Sequence, residues 1–166
     1  MNKTLVVIGG GAAGMMAAIS AARAGAAVTL LEPNERLGKK LNITGKGRCN
    51  VTNDSACEEL LANIPQNGRF LYSVLSHFDG RDTMAFFESI GVPLKVERGR
   101  RVFPVSDRAF DISAALEREL KRLRVALVRD RAVCVLTDED GAVCGVKGEK
   151  DTYRAGAAVL ATGGVS

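Results

Sequence analysis

Tryptophan is absent from this sequence of 166 residues, tyrosine occurs twice and histidine once. A histidine-based metal site needs several imidazole ligands, and a Ser-His-Asp triad needs a histidine as its base. The only histidine, His77, precedes Phe78 and is expected to end a helix there, which is a structural position. We therefore predict no metal site and no hydrolytic triad, and no general acid or base can be named.

Paired cysteines and membrane-spanning runs are missing as well. The sequence has no CxxC motif among its cysteines, which are Cys49, Cys57, Cys134 and Cys144. Unpaired thiols fit a reducing compartment, so we predict a cytoplasmic protein. Lys3 and the apolar residues 5–8 imitate a signal peptide, but glycines at 9–11 interrupt the segment, and no later run could cross a bilayer. We expect a soluble protein without a membrane partner.

Clustered charge is also scarce. The net charge is +4, and hydrophobic and charged residues make up 46% and 25% of the chain, as in ordinary globular proteins. The basic residues are scattered, and a run such as Arg98-Gly99-Arg100-Arg101 is typical of a solvated loop. We therefore predict no nucleic-acid partner. A modest positive charge suits a small anionic ligand such as a pyrophosphate.

The first thirty residues have the pattern of a βαβ unit. Thr4–Ile8 is an apolar run typical of a buried strand, and Ala12–Ala24 is rich in helix-forming Ala and Met. Gly25 is expected to end this helix, and Ala27–Leu31 predicts a second buried strand. A unit of this length predicts two parallel strands joined by one crossover helix.

The rest of the chain alternates between loops, helices and short strands. Residues 34–68 are polar and are expected to be mostly loop. The predicted helices are Arg69–Phe78, Asp82–Ile90 and Asp107–Leu123, and the predicted strands are Leu94–Glu97, Arg101–Phe103, Val125–Val128, Arg131–Thr137, Ala142–Lys147, Asp151–Ala155 and Ala157–Ala161. In the first of these helices we expect Phe70, Val74 and Phe78 to pack in the core.

The turn Gly9-Gly10-Gly11-Ala12-Ala13-Gly14 is the motif that indicates a function. It follows a strand, opens a helix and is succeeded by an acid, Glu32, at the end of the next strand. Gly9 permits the tight turn, Gly11 has no side chain to block a pyrophosphate, and Gly14 lets the helix pack closely on the strand. The helix N-terminus then holds the phosphate charge.

Glu32 completes this dinucleotide fingerprint, because its carboxylate can accept hydrogen bonds from both hydroxyls of the adenosine ribose. The alternative is a glycine turn without a ligand, with Glu32 merely solvated. A Walker A motif is excluded, because Gly45-Lys46 lacks the earlier glycine and the following Ser or Thr.

The spacing of the later elements distinguishes FAD from a nicotinamide cofactor. About ninety residues separate Glu32 from the next predicted parallel strand at Val125, and three antiparallel strands precede the final Ala161-Thr162-Gly163 turn. This order resembles the FAD domain of the glutathione-reductase type. The predicted fold class is α/β, a Rossmann-like FAD-binding domain with a central parallel sheet and an inserted three-stranded antiparallel β-meander.

Three further stretches carry a closer resemblance. They are Lys39-Lys40-Leu41-x-Ile43-Thr44-Gly45-Lys46-Gly47-Arg48-Cys49-Asn50-Val51-Thr52-Asn53, Arg101-Val102-Phe103-Pro104-Val105-Ser106 and Leu160-Ala161-Thr162-Gly163-Gly164-Val165-Ser166. They resemble the BaiN-type family of NAD(P)/FAD-dependent oxidoreductases, which are also described as aminoacetone-oxidase-like flavoproteins. The resemblance runs from about Thr4 to the last residue.

The resemblance implies FAD as the cofactor and NAD(P)H as the electron donor. It places along the cofactor a loop with Lys39, Lys40, Gly45, Gly47, Arg48, Cys49 and Asn50, a main-chain contact from Val133 to the adenine, and Thr162 and Gly163 near the dinucleotide. Arg48 is the candidate for stabilising the anionic reduced flavin. Cys49, a lone thiol, is expected to be a packing residue.

The family also bears on domain organisation. We expect residues 1–166 to form one Rossmann-type domain. Family members continue past the final turn into a substrate-covering region and return to finish the FAD site, so we expect that region to be missing from this chain or supplied by another. The leading hypothesis is a flavin-dependent oxidoreductase acting on a small molecule. The alternatives are a non-catalytic nucleotide-binding fragment and a simple NAD-dependent dehydrogenase.

Overall fold

The structure is a computed structural model that describes residues 3–164. The chain divides into two compact units. The first unit comprises Met1–Leu41 and Leu116–Ser166, and the second comprises Asn42–Ala115. The motif residues Val165 and Ser166 lie outside the described residues. The prediction of one domain over 1–166 stays a prediction.

A parallel sheet of four strands forms the centre of the first unit. The chain begins with β1 (Thr4–Ile8), helix α1 (Ala12–Arg23) and β2 (Ala27–Leu31), as the sequence predicts. Two later strands, β6 (Ala126–Val128) and β10 (Ala157–Leu160), complete the order β10-β1-β2-β6. All three pairings are parallel. The α/β fold class with a central parallel sheet is therefore confirmed.

Helix α1 ends as the glycine signal predicts. Gly25 adopts a left-handed conformation with φ +85° directly after the capping residue Ala24. Its N–H donates to the carbonyl of Ala22, and the N–H of Ala26 donates to the carbonyl of Ala21. This pair of bonds is a Schellman motif, which satisfies carbonyls that the helix end leaves free.

An antiparallel meander accompanies the parallel sheet. It consists of β7 (Ala132–Thr137), β8 (Val143–Gly148) and β9 (Thr152–Arg154), paired in that order. The inserted meander is thus confirmed. Its side chains join the buried core of the first unit, which contains Val6, Ile8, Leu31, Val146 and Ala155.

Asp130, just before the meander, is buried and fully hydrogen-bonded. Its carboxylate accepts from the hydroxyl of Tyr153 at 2.8 Å and from the main-chain N–H groups of Arg131 and Lys150. Burial alone would raise the pKa of Asp130, but these donors together hold it below its usual value. The pKa of Tyr153 is raised to about 12, mainly by burial and to a lesser extent by the hydrogen bond to Asp130.

Helix α5 (Ala109–Arg122) is amphipathic, as predicted. Ile112, Leu116 and Leu120 are buried on its apolar face. Near its end the buried carboxylate of Glu119 pairs with Arg23 at 2.6 Å and with Arg122 at 2.7 Å. The hydrogen bonds from Arg122 and Arg23 outweigh burial and lower the pKa of Glu119 to about 2.

The second unit is built around a small antiparallel sheet. Its elements are β3 (Thr52–Asn53), α2 (Cys57–Ala62), α3 (Tyr72–His77), α4 (Gly80–Ser89), β4 (Leu94–Glu97) and β5 (Arg101–Pro104). The strand order is β3-β5-β4, and the β4–β5 ribbon agrees with the sequence pattern. Asp79 caps α4 with a capping box, in which the side chains of Asp79 and Asp82 each accept an N–H from the other's main chain.

The expected core role of the 69–78 segment is wrong. The segment consists of a 3-10 turn at Gly68–Leu71 followed by α3, and Phe70, Val74 and Phe78 are 85%, 59% and 40% exposed. Regular apolar spacing predicts a face, but burial needs a second element to cover that face, and the sequence does not reveal whether one exists.

The segment 34–68 is mostly loop, as expected, and it also contains helix α2. The apolar run at 157–161 is typical of a buried strand, but β10 is not buried, because Leu160 is 72% exposed. Strand β10 stands at one edge of the four-stranded sheet, where only β1 pairs with it among the described residues. Within residues 3–164 there is no helix both long and apolar enough to cross a membrane.

Candidate dinucleotide-binding site

The glycine turn lies between β1 and α1, at the carboxyl end of β1. On one side the N–H of Gly9 donates to the carbonyl of Leu31 at the end of β2. On the other side the N–H of Ala161, just after β10, donates to the carbonyl of Ile8. The turn therefore lies at the carboxyl end of β1, where the chain continues to β2 on one side and returns as β10 on the other. Open α/β sheets bind ligands at such a switch point.

Two of the glycines are required by packing inside the protein. A Cβ atom on Gly9, where φ is +109°, would collide with the carbonyl group of Ala161 and lie 3.2 Å from Cα of Thr162. A Cβ atom on Gly14 would collide with the carbonyl oxygen of Gly9. These are the tight turn and the close approach of helix to strand that the sequence predicts.

Gly11 is different, because no protein atom other than those of its chain neighbours lies within 4 Å of the Cβ it lacks. Its φ of −76° and ψ of −175° suit any residue. Gly11 is the N-cap of α1, which has no side-chain cap and no acid in its first turn, and Ala12 and Ala13 are exposed. The open space in front of a helix N-terminus of small residues fits a pyrophosphate.

Glu32 turns its carboxylate toward the glycine turn. Its Oε2 accepts a hydrogen bond from the main-chain N–H of Gly10 at 2.7 Å. Its Oε1 accepts from the main-chain N–H and the side-chain Nδ2 of Asn34 at 2.9 and 2.6 Å. The predicted acid therefore stands beside the turn, and Asn34 is a neighbour that the motif did not reveal.

Residues 37 and 38 hold the turn from another side. The N–H of Gly38 donates to the carbonyl of Gly10 at 2.9 Å, and a Cβ on Gly10 would approach Cδ2 of Leu37 to 2.5 Å. Both main-chain groups of Gly10 are thus bonded. The fingerprint assigns no role to its second glycine, so sequence reasoning missed this contact. Lys39 and Lys40, which follow, are exposed.

The later segments of the first unit include Thr162, Gly163 and Val133. Thr162 lies beside Gly9, and Gly163 has φ +83° with open space at its missing Cβ. In the meander, Ala132 pairs with Gly148 and Cys134 with Lys147, so Val133 occupies a β-bulge without a residue opposite it. Bulges occur often near functional sites, and this one frees main chain at the residue expected to contact adenine.

The loop expected to reach the flavin belongs to the second unit. Gly45, Lys46, Gly47 and Cys49 all have positive φ, between +56° and +84°. This conformation is unfavourable for Lys46 and Cys49, which carry side chains. The side chain of Asn50 donates to the carbonyls of Thr52 and Val102, at 2.8 and 3.1 Å, and anchors the end of the loop to the small sheet.

Arg48 is held by two carboxylates that the motif did not reveal. Its Nη2 donates to Glu97 at 2.5 Å and to Asp107 at 2.6 Å, and its Nε donates to Asp107 at 2.9 Å. The guanidinium also lies over the ring of Phe103, 4.3 Å from the centroid. The hydrogen bonds to Glu97 and then Asp107 raise the pKa of Arg48, while Arg48 lowers that of Glu97.

Cys49 is buried, and burial raises the pKa of its thiol despite a hydrogen bond with Thr44. A thiol of this kind is a weaker nucleophile, in keeping with a packing role. Among residues 3–164, no three His, Cys, Asp or Glu side chains are grouped as metal ligands would be.

A strand, a glycine turn against a helix N-terminus, and an acid at the end of the neighbouring strand define a Rossmann-type dinucleotide-binding domain. The chain matches the HI0933-like protein Rossmann domain over residues 3–166. It belongs to this family, whose members are BaiN-like FAD-binding oxidoreductases, as the loop motifs predict.

Two curated relatives align along nearly the whole chain. The 3-dehydro-bile acid delta(4,6)-reductase of Clostridium scindens is 37% identical over 99% of the chain. The ribosomal RNA dihydrouridine synthase of Escherichia coli is 32% identical over 97% of it. The aligned region makes up 39% of the length of each of these two relatives.

Solved structures share the fold at low identity. A flavocytochrome c3 fumarate reductase matches 98% of the chain with a TM-score of 0.64 and 22% identity, and the match covers 34% of that chain. Thermovibrio ammonificans THI4 matches 98% of the chain with a TM-score of 0.63 and 15% identity, and the match covers 58% of that chain.

Proposed function

We propose that this chain binds FAD, with the pyrophosphate at residues 9–14 and the adenosine ribose at Glu32. We propose further that it is the FAD-binding part of an oxidoreductase that passes electrons from NAD(P)H through FAD to a small organic acceptor or to oxygen. When bound, FAD would supply the two-electron redox chemistry that links the nicotinamide donor to the acceptor.

The observation that carries the proposal is the open space at Gly11. Neither backbone conformation nor packing requires glycine there. A ligand against the helix N-terminus supplies the reason, because a side chain at Gly11 would occupy the place of a phosphate.

The residues of the chain have separate tasks in this proposal. The main-chain N–H groups at the start of α1 hold the phosphate charge, and the carboxylate of Glu32 accepts from the ribose. Lys39, Lys40, Thr162, Gly163, the bulge at Val133 and the loop at 45–50 contribute further contacts to FAD. Arg48 offers positive charge for the anionic reduced flavin.

The relatives suggest the class of acceptor. One is named as a reductase acting at the Δ4,6 double bonds of a 3-dehydro compound, and the other forms dihydrouridine, which has two hydrogens more than uridine. Each carbon–carbon double bond that is reduced takes up two electrons and two protons, and in both kinds of substrate the double bond is conjugated with a carbonyl. We propose that class of acceptor here, with oxygen as the alternative.

The decisive experiment is to purify the chain and record its visible spectrum. We expect a flavin spectrum, or its recovery on adding FAD, and release of FAD identified by mass. A colourless chain that takes up NAD but no flavin would favour a simple NAD-dependent dehydrogenase and reject the proposal.

A second candidate function is nucleotide binding without turnover. The chain spans 39% of the length of the two relatives, and a dinucleotide site by itself binds a cofactor without supplying a site for an acceptor. This candidate predicts FAD binding but no steady-state oxidation of NADH or NADPH by the purified chain. Sustained NAD(P)H oxidation in the presence of FAD and oxygen would rule it out.

The acceptor assay also tests the predicted absence of a nucleic-acid partner. A small conjugated enone and a uridine-containing RNA should be offered to the FAD-loaded protein with NAD(P)H. We expect reduction of the small molecule. If dihydrouridine forms in the RNA and the small molecule is not reduced, the prediction of no nucleic-acid partner is wrong.

A further inference from the structure

The carboxylate of Glu32 is held at both oxygens before any ligand arrives. Oε2 accepts one hydrogen bond, from the N–H of Gly10, and Oε1 accepts two, both from Asn34. A carboxylate has about four acceptor positions, so three are used and the remaining capacity lies on Oε2. That oxygen is the one beside the glycine turn.

Asn34 contributes to this arrangement through its side chain as well as its main chain. The shortest of the three bonds is the 2.6 Å contact from Nδ2 of Asn34 to Oε1 of Glu32. A carboxylate otherwise rotates freely about its last torsion angle, and fixing one oxygen orients the other. Such preorganisation increases affinity because less conformational freedom is lost on binding.

We propose that Asn34 is a positioning residue for ribose recognition, which orients Glu32 so that Oε2 meets a hydroxyl of the adenosine ribose. The proposal rests on the proposed function, because it assumes that an adenosine diphosphate moiety occupies the glycine turn. It assigns Asn34 an effect on one part of the ligand, the vicinal hydroxyls, and none on the phosphates.

The test compares two ligands by titration calorimetry, ADP and 2′,3′-dideoxy-ADP, which lacks both ribose hydroxyls. The wild-type chain should bind ADP about tenfold more tightly, as expected when a charged acceptor loses its partner. In Asn34→Ala this preference should fall by about threefold or more, and in Glu32→Ala it should disappear. Asn34→Asp keeps the side-chain shape but replaces the N–H donor by a carboxylate that repels Glu32, so the preference should fall at least as far as in Asn34→Ala.

Asn63→Ala is the matched control, because Asn63 is also exposed and its Nδ2 also makes one local hydrogen bond, to the carbonyl of Glu59. This control should keep the wild-type preference. Thermal unfolding of every variant checks that the fold is unchanged.

The possible outcomes separate the two proposals. If the wild-type chain prefers ADP and both Asn34 variants keep that preference, the positioning role is rejected and the proposed function stands. If Asn34→Ala and Asn34→Asp each lose the same factor of affinity for both nucleotides, Asn34 has a general structural role, and the positioning role is rejected. A wild-type chain that binds neither ADP nor FAD overturns both proposals.

Discussion

The carbonyl oxygen of Gly9 occupies the space where a Cβ atom of residue 14 would lie. This contact joins the turn after the first strand to the first turn of helix α1, and only glycine at position 14 permits it. Gly11, three residues earlier, has nothing beyond its chain neighbours within 4 Å at the corresponding position. The two glycines of one motif therefore serve different purposes, and substitutions should separate them.

Gly14→Ala should destabilise the fold. The added methyl group must push α1 away from the strand end, and overpacking of this kind costs about 1–3 kcal/mol in the free energy of unfolding. Chemical denaturation measures the change. Gly156→Ala is the control, since only the carbonyl oxygen of Thr4, at 4.0 Å, lies near its missing Cβ. Equal stability of the two variants would contradict the packing role of Gly14.

Gly11→Ser should weaken FAD binding without weakening the fold. Serine is only slightly better than glycine as an N-cap, so the free energy of unfolding should stay level or rise by roughly 0.3 kcal/mol. The added side chain occupies the space assigned to the pyrophosphate, so the affinity for FAD should fall by about tenfold or more. Denaturation and flavin-fluorescence titration are the two measurements. A variant that binds FAD as well as the wild type would remove the observation on which the proposed function depends.

Glu119→Gln should destabilise the first unit in a pH-dependent manner. The folded pKa of Glu119 is about 2 against an ordinary value of 4.5. Because the folded pKa is depressed, the stabilisation is complete above about pH 4.5 and is lost as the pH falls from there toward 2. A shift of this size corresponds to about 3.4 kcal/mol. Because Arg23 and Arg122 are partly exposed and screened by solvent, we expect the free energy of unfolding to fall by about 2 kcal/mol at neutral pH and by less on acidification.

Glu117→Gln is the control for Glu119 because it lies on the same helix. Its carboxylate pairs with Lys121 at the surface, so its loss should cost less than about 0.5 kcal/mol. If the difference in the free energy of unfolding between wild type and Glu119→Gln is the same at pH 7 and at pH 3, the assigned pKa is wrong.

The proposed role of Arg48 predicts opposite shifts in flavin potential. Removing its positive charge in Arg48→Ala should lower the midpoint potential, since the anionic reduced flavin loses a stabilising charge. Removing a carboxylate that offsets this charge, in Glu97→Gln, should raise the potential. Redox titration of the FAD-loaded protein measures both. Glu58→Gln, an exposed residue of the same unit, is the control, and an unchanged potential in folded Arg48→Ala would reject the role.

The sequence predicted the parts of the fold that are governed by local signals. β1, β2 and the end of α1 at Gly25 match, because strand pattern and glycine conformation act within a few residues. The partners of Arg48 were not foreseen, since Glu97 and Asp107 lie 49 and 59 residues away. Asn34 follows Glu32 by only two residues, but an exposed Asn in a loop has no sequence pattern that predicts its hydrogen bonds to Glu32. The exposure of Phe70 was not predictable either, because whether another element packs on an apolar helix face depends on tertiary structure.

Aromatic chromophores are scarce in this chain, so the ionisation of Tyr153 can be followed by itself. In Tyr72→Phe, Tyr153 is the only tyrosine, and tryptophan is absent, so tyrosinate absorbance reports Tyr153 alone. Its pKa of about 12 predicts no ionisation in the folded chain near pH 10. Because an unfolded tyrosine ionises at about 10 and the folded one at about 12, stability should fall as the pH rises between these values. Asp130→Asn removes the charged acceptor and should lower the pKa of Tyr153, and an unchanged titration in that folded variant would show that the bond to Asp130 contributes nothing to the shift.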